Sequence, residues 1–442
     1  MDKASWPPCD TNFDNAGPAL PGFNRPTRYE GKVSNLEVYG TVPPSISGTF
    51  YRIMPEPYHV PFVKNDITSG KYRNPFTDLV KFADRTTANT TAFPFKGVIL
   101  ALKEDSQPYA VDPRTLETIG RWDFDGQLES ETFTAHPKYD VKTREVLSFG
   151  YEGKGIGTRD VFYMSIDEHG KFNEKVWFQA PFCGFQHEMA FTDNWWFQGP
   201  NLFTGHVANA WEENGQLHLH VSMVRGNGFG FFPEQNGEAT AFDLEVLAPH
   251  VCEFVLDPHS TKLVYQSPTE VVTAGPNEFP RIDDRVFGKK HRFIYGNMID
   301  MSPGVTDWEY STPLADDGIG HMNVLYKYDL VTGATQKYIR GPRHFFQEPQ
   351  FVPRHPGAAE GGGFLIALVN NFNEMTSELV IIDCDDFEKH AVIAKLPVRL
   401  RPGFHGNWVD DTDIDGRPNT VAEFAIPHRR DENNETNETD GQ

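Results

Sequence analysis

The sequence predicts an all-β chain, and within that class a β-propeller. Glycine and proline are plentiful, at 38 and 33 of 442 residues, while long apolar runs at the helical period are scarce. Short β-type runs recur instead, and many close on the same punctuation: an apolar residue, an Asp, then a turn ending near Thr, Ser or Gly. A large antiparallel sandwich would satisfy the same pattern and stays open at this point.

Taken in order, residues 1–25 are rich in Pro and Asn and read as a loose arm, with neither the basic start nor the apolar run of a secretory leader. Residues 26–427 show no linker biased enough to divide domains and are expected to form one unit. The runs Val146–Tyr151, Asp160–Ile166, Gln216–Val221, Cys252–Leu256, Arg292–Ile299, Asn323–Tyr328, Gly363–Val369, Leu379–Ile382 and Ala391–Pro397 are expected strands. The punctuating aspartates are Asp112, Asp140, Asp167, Asp257, Asp329 and Asp383. An Asp opening a turn accepts backbone N–H groups two residues on, which fixes a chain reversal. A chain that repeats strand, Asp turn, strand builds hairpins, and radial repetition is one way to close them. Residues 428–442 are polar, acidic and repetitive, and are expected to be disordered.

A formal net charge of −22 argues against nucleic acid and anionic membrane as partners. No stretch reaches the roughly 18–20 apolar residues that span a bilayer, so no strong membrane association is expected. Cys9, Cys183, Cys252 and Cys384 form no CxxC pair, which suggests neither zinc knuckle nor disulfide framework and fits a cytoplasmic location.

Sixteen histidines are too many to be ligands, and any one alone is more readily a structural or surface residue. His218 and His220, alternating in LHLH, share a strand face that is expected to be exposed. Four others have stronger contexts: His136 in FTAHPKYD, His187 in FQHEMAFTDN, His206 in FTGHVANAWEENG and His405 in RPGFHGNWV. Imidazole suits Fe, Zn, Cu and Ni alike. An all-neutral shell leaves the full charge on the ion and favours iron(II) with open positions, whereas structural zinc prefers cysteine-containing closed sites. Metal-bound imidazoles usually donate their other N–H to a carboxylate or carbonyl. Glu104, Glu278 and Glu348, set in ILALKEDS, PNEFPRI and HFFQEPQFVP, are the candidates.

Together these segments resemble the carotenoid cleavage oxygenase superfamily. GTVPPSISGTFYRIMPEP (Gly40–Pro57) is similar to the family's opening signature, and the four histidine motifs and the QEPQFVPR and NEFPRI segments follow in order. The resemblance implies a seven-bladed β-propeller with one iron(II) on its axis under a lid of loops or helix. It implies His136, His187, His206 and His405 as ligands and Glu104, Glu278 and Glu348 as supports for the three imidazoles other than His136. KYRNPFTD (Lys71–Asp78), ALKED and LPVRLRPGFHGNWV look most like the stilbene-cleaving branch, in which a Tyr and a Lys hold the substrate's 4′-hydroxyl. The matching residues are Tyr72 and Lys103, with Lys103 and Glu104 expected on one strand, side chains on opposite sides. The implied reaction is cleavage of the central double bond of a 4-hydroxystilbene with O₂ to give two aromatic aldehydes. Two segments are shorter than the family pattern, at Pro57–Lys71 and between His187 and His206, so two blades are expected to be incomplete. The alternatives are carotenoid, apocarotenoid or phenylpropene cleavage, and a non-catalytic propeller kept as a scaffold.

Overall fold

The computed structural model describes residues 32–53, 88–155, 157–181, 183, 186–192, 196–197, 203–224, 248–259, 269–306 and 322–411. All nine expected strands are present, and all six aspartates sit where a strand ends in a reversal. Each accepts the backbone N–H two residues on: Arg114 from Asp112 and Lys142 from Asp140 at 2.8 Å, His169 from Asp167, His259 from Asp257 and Val331 from Asp329 at 2.9 Å, and Asp385 from Asp383 at 3.0 Å. Helical structure among the described residues is slight, the single 3-10 turn Asp284–Val286 having the only defined bounds.

The strands form antiparallel sheets that follow one another along the chain, the arrangement of a β-propeller. The first four-stranded blade is Thr91–Phe95, Val98–Leu102, Tyr109–Val111 and Thr118–Arg121. The second is Lys138–Asp140, Glu145–Gly150, Asp160–Ile166 and Phe172–Gln179. A two-stranded ladder of Ala190–Phe191 and Trp196–Phe197 follows. The third blade runs from Phe203–Glu213 to Thr269–Glu270, and the fourth from Asn277–Arg281 to Ala334–Tyr338. The fifth is built on Gly363–Asn371, Thr376–Asp383 and His390–Leu396.

Both ends of the described chain close the ring. Glu37–Gly40 pairs with His390–Leu396 of the fifth blade, and Gly48–Arg52 pairs with Gly406–Asp410 in a second two-stranded ladder. Among the described residues five sheets have the width of a blade, against the seven that the resemblance implies. Among the described residues the interval between His187 and His206 holds the narrow ladder Ala190–Phe191/Trp196–Phe197 before Phe203–Glu213 begins, and 19 residues leave little room for a full blade. Pro57–Lys71, the other short segment, lies outside the described residues, as do the arm 1–25 and the tail 428–442.

The largest apolar clusters lie between blades. Phe95, Phe124, Phe133, Phe162 and Phe172 join the first blade to the second, and Tyr295, Leu325, Phe346, Leu365 and Val380 join the fourth to the fifth. Burying such a side chain fully stabilises the fold by about 1.5–3 kcal/mol, so the blades hold one another in a fixed angular order.

The LHLH face is not exposed. His220 is buried, and its Nδ1 lies 3.1 Å from His291 Nε2, which stands between the first two strands of the fourth blade. Asn209 Nδ2 donates to His291 Nδ1 at 3.0 Å and to the Lys289 carbonyl at 2.8 Å. Trp211 stacks on His218 and meets His220 and His291 edge-on. Alternation told correctly that the two histidines share a face. It could not tell that the next blade covers it.

Candidate metal centre

The first strands of successive sheets border one central cavity of about 340 Å³. His136, His206 and His405 line it, and His187 stands against His136 and His206; three of the four lie just before the first strand of a sheet and His206 lies within one. His136 precedes Lys138–Asp140, and its backbone N–H is taken by Thr134 Oγ1 at 3.0 Å. His187 precedes the narrow ladder. His405 precedes Gly406–Asp410, with its N–H on the Thr90 carbonyl and its own carbonyl on the Ile53 N–H, both at 3.2 Å.

Segments far apart in sequence thereby bring four imidazoles together, all with a ligand nitrogen within 4.8 Å of every other. Nε2 of His187 lies 3.0 Å from that of His136 and 3.3 Å from that of His206, which is 3.2 Å from that of His405. His187 Nδ1 meets Glu104 Oε1, His206 Nδ1 meets Glu278 Oε2 at 2.9 Å, and His405 Nδ1 meets Glu348 Oε1 at 3.1 Å. Among the described residues His136 alone of the four lacks a carboxylate partner. The three glutamates therefore face the three histidines that the resemblance paired them with.

This geometry fits a bound cation. A neutral imidazole that donates from Nδ1 has only a lone pair on Nε2. When these imidazoles are neutral, three such lone pairs converge at hydrogen-bond distance with no hydrogen to share, a clash that a proton on His206 or a metal ion resolves. The four-histidine group is thus compatible with a metal site.

Electrostatics separates the arms. Burial, together with the other imidazoles, holds His136 well below the usual histidine value. Burial also disfavours charge on His206, yet Glu278 outweighs it and lifts the group to about 8. His405 is pushed down to about 4 by burial, which Glu348 only partly offsets. Two charges make the difference: that of neighbouring His206 lowers His405, and Arg281 shares the charge of Glu348 behind it. Burial would raise the Glu348 carboxyl, but Arg281 and then His405 hold it well below the usual carboxylate range.

Close approach and one strained residue make room for this. A Cβ on Gly205 would lie 1.9 Å from Glu278 Oε1, so any larger residue before His206 must displace that carboxylate. A Cβ on Gly406 would lie 2.5 Å from Arg52 Cγ and 2.6 Å from the Tyr51 carbonyl, while its N–H donates to Glu348 Oε2 at 3.2 Å. Phe279 takes φ 52 at a register shift between Glu278 and Arg281, and its ring stacks on His206 at 5.0 Å. Such a conformation on an aromatic residue persists only where its surroundings impose it. Glu188, beside His187, pairs with Lys138 and accepts the Val207 N–H at 2.7 Å, tying together three histidine-bearing segments. Gly205, Glu188, Phe279 and Arg281 all lie inside the motifs quoted above. Their neighbours drew attention through metal-binding chemistry, whereas these four act through contacts that sequence does not display.

Lys103 and Glu104 do not share a strand. Val98–Leu102 ends before them, and both lie in a tight turn where the Ser106 carbonyl accepts the Phe133 N–H at 3.0 Å. Glu104 points to His187, and half-buried Lys103 pairs with Asp105 at 2.8 Å. The consecutive acidic residues of KEDS favour a turn over continued pleat. Tyr72 lies outside the described residues.

Comparisons with known proteins agree with this geometry. The family model for retinal pigment epithelial membrane protein (RPE65) matches residues 62–196 and 195–410. Carotenoid cleavage oxygenase 1 of Neurospora crassa is 41% identical, with 93% of this chain and 94% of that protein covered. The alignment runs over 498 positions, longer than the whole chain, so the relative has insertions that this chain lacks. Resveratrol cleavage oxygenase 1 of Aspergillus fumigatus is 38% identical, over 90% of this chain and 96% of that protein. The crystal structure of Pseudomonas brassicacearum lignostilbene dioxygenase superposes with a TM-score of 0.78 at 31% identity, covering 89% of this chain and 99% of that one. From the matched model, these relatives and the shared propeller, the chain belongs to the RPE65/carotenoid cleavage oxygenase family and is an oxygenase of that family.

Proposed function

We propose that the chain is an iron(II) dioxygenase that cleaves the central double bond of 4-hydroxystilbenes such as resveratrol and piceatannol, giving two aromatic aldehydes. The observation that carries the metal half is the convergence of Nε2 lone pairs from imidazoles whose Nδ1 atoms face buried carboxylates. Ferrous iron, when bound, supplies the one-electron chemistry with O₂ that no side chain provides. His136, His187, His206 and His405 hold the ion as neutral donors, leaving its charge undiminished by direct ligands. Glu104, Glu278 and Glu348 fix the tautomers and the angles of three of the rings.

The substrate half is supported by the stilbene-cleaving names of two of the relatives above and by the segments around Tyr72 and Lys103. Lys103 is the chain neighbour of Glu104, whose carboxylate meets His187, and its ammonium pairs with Asp105 in the same turn. A cation there, with the Tyr72 hydroxyl, would bind a 4′-hydroxyl and stabilise the phenolate, moving electron density into the conjugated double bond. Carotenoid cleavage remains the second reading, favoured by the name of the Neurospora relative.

Purified protein loaded with one iron per chain, incubated with resveratrol, should yield two aromatic aldehydes by chromatography. The 4′-O-methyl analogue should be cleaved far more slowly, since a site built to bond a hydroxyl can reject its absence by as much as ~10⁴-fold. Lys103→Ala should lose most activity with iron content unchanged. Equal cleavage of both stilbenes by wild type and Lys103→Ala would remove the stilbene reading and favour the carotenoid one.

A further inference from the structure

The three carboxylates behind the imidazoles are not equivalent. Among the described residues, Glu104 and Glu278 each meet a histidine without a guanidinium on the same oxygen. Glu348 Oε1, 3.1 Å from His405 Nδ1, also accepts Arg281 Nε at 2.9 Å. Arg281 is itself anchored, with an Nη2–H on the Gly406 carbonyl at 3.2 Å. It stands three residues after Glu278 on the same strand, beyond the register shift at Phe279, and borders the central cavity with His206 and His405. One short segment therefore supplies a carboxylate to one imidazole and a cation to the carboxylate of another. Arg52 also approaches and feels the charge of Glu348, but its hydrogen bonds go to the backbone carbonyls of Glu348 and Phe404 and not to the carboxylate.

Charge counting gives this arrangement a consequence. Four neutral imidazoles contribute nothing, and three carboxylates exceed a dication by one negative unit. Among the groups hydrogen-bonded to the imidazoles or to their carboxylates, Arg281 restores neutrality. Inside a protein, where charges are poorly screened, one uncompensated negative unit favours the more oxidised ion. We propose that Arg281 is a positioning residue that keeps the iron ferrous, by cancelling the charge of Glu348 while holding that carboxylate on His405. This rests on the iron reading above.

The test is a redox titration of anaerobically iron-loaded protein, with the ferric form followed by electron paramagnetic resonance. Arg281→Met should raise the ferric-to-ferrous ratio at fixed poise at least tenfold, equivalent to ~59 mV more negative for a one-electron couple. Arg281→Lys should stay near wild type. Arg281→Met combined with Glu348→Gln removes one charge of each sign and should return the ratio toward wild type, although packing is disturbed further. Should Arg281→Met hold no iron, Arg281→Gln, which keeps a donor to Glu348 without its charge, carries the same expectation. A loaded uncharged variant with the wild-type ratio overturns the proposal, as does a double variant no nearer wild type than the single. A wild-type protein that takes up no iron would sink the iron reading and this role with it. Measurable wild-type iron with an unmoved variant would remove only the role of Arg281.

Discussion

At the scale of single residues, the centre depends as much on what is absent as on what binds. Gly205 has no side chain because Glu278 occupies the space a Cβ would need, 1.9 Å from Oε1. Gly205→Ala should therefore push Glu278 away from His206 and free that ring to turn. We expect about a 10- to 100-fold loss of metal affinity, the usual cost of disturbing the group that orients a ligand. Titration of apoprotein with iron(II) or cobalt(II) checks this, and unchanged affinity would mean that Glu278 does not orient His206. The histidines and glutamates were legible in the sequence because metal chemistry restricts residue type sharply. The glycine and arginine were not, since each is explained by a partner tens of residues away.

At the scale of elements, the aspartate turns were the most legible feature. An Asx turn is a bond between residues two apart, so all its determinants lie in one short string. The position of Lys103 was misjudged for a related reason: whether a strand stops at Leu102 or runs on is decided by pairing with Tyr109–Val111, which the string ALKED does not contain. The covered face of His218 and His220 was equally hidden. Its buried pair makes a prediction about pH. Burial holds His220 well below the usual histidine value and pushes His291 down to about 4. Unfolded imidazoles take protons below about 6.5, while the folded pair resists. The unfolded state therefore binds more protons between about 6.5 and 4, and stability must fall as pH drops through that window. Thermal denaturation of wild type should show this loss, on the order of 2–3 kcal/mol. His220→Leu with His291→Leu should show a smaller decline over the same range. A double variant whose stability falls in parallel with wild type would mean that the pair does not titrate in this way.

At the scale of the whole molecule, the ring is joined by strands from its two ends. Deleting residues through Gly40 removes the partner of His390–Leu396 and leaves that strand as an open edge. Open edges recruit other chains, so the shortened protein should melt earlier and appear as aggregates in size-exclusion chromatography. A monomer with wild-type melting behaviour would show that Glu37–Gly40 contributes nothing to closure. The number of blades was the part of the architecture least accessible to sequence: repetition of hairpins can be read from turns, but a count needs the angle between neighbouring sheets, which is set by packing such as that of Phe124 and Tyr295.

Because Gly48–Arg52 waits for Gly406–Asp410, the order of synthesis becomes an order of assembly. During translation three of the four imidazoles emerge well before His405, and the ladder that seats His405 forms only once the last described strand has left the ribosome. A nascent chain thus has no complete cage to offer a metal. Binding of an ion by all four imidazoles must wait for Gly406–Asp410 to emerge, and a chain ended before Gly406 would leave the strand Gly48–Arg52 without its mate.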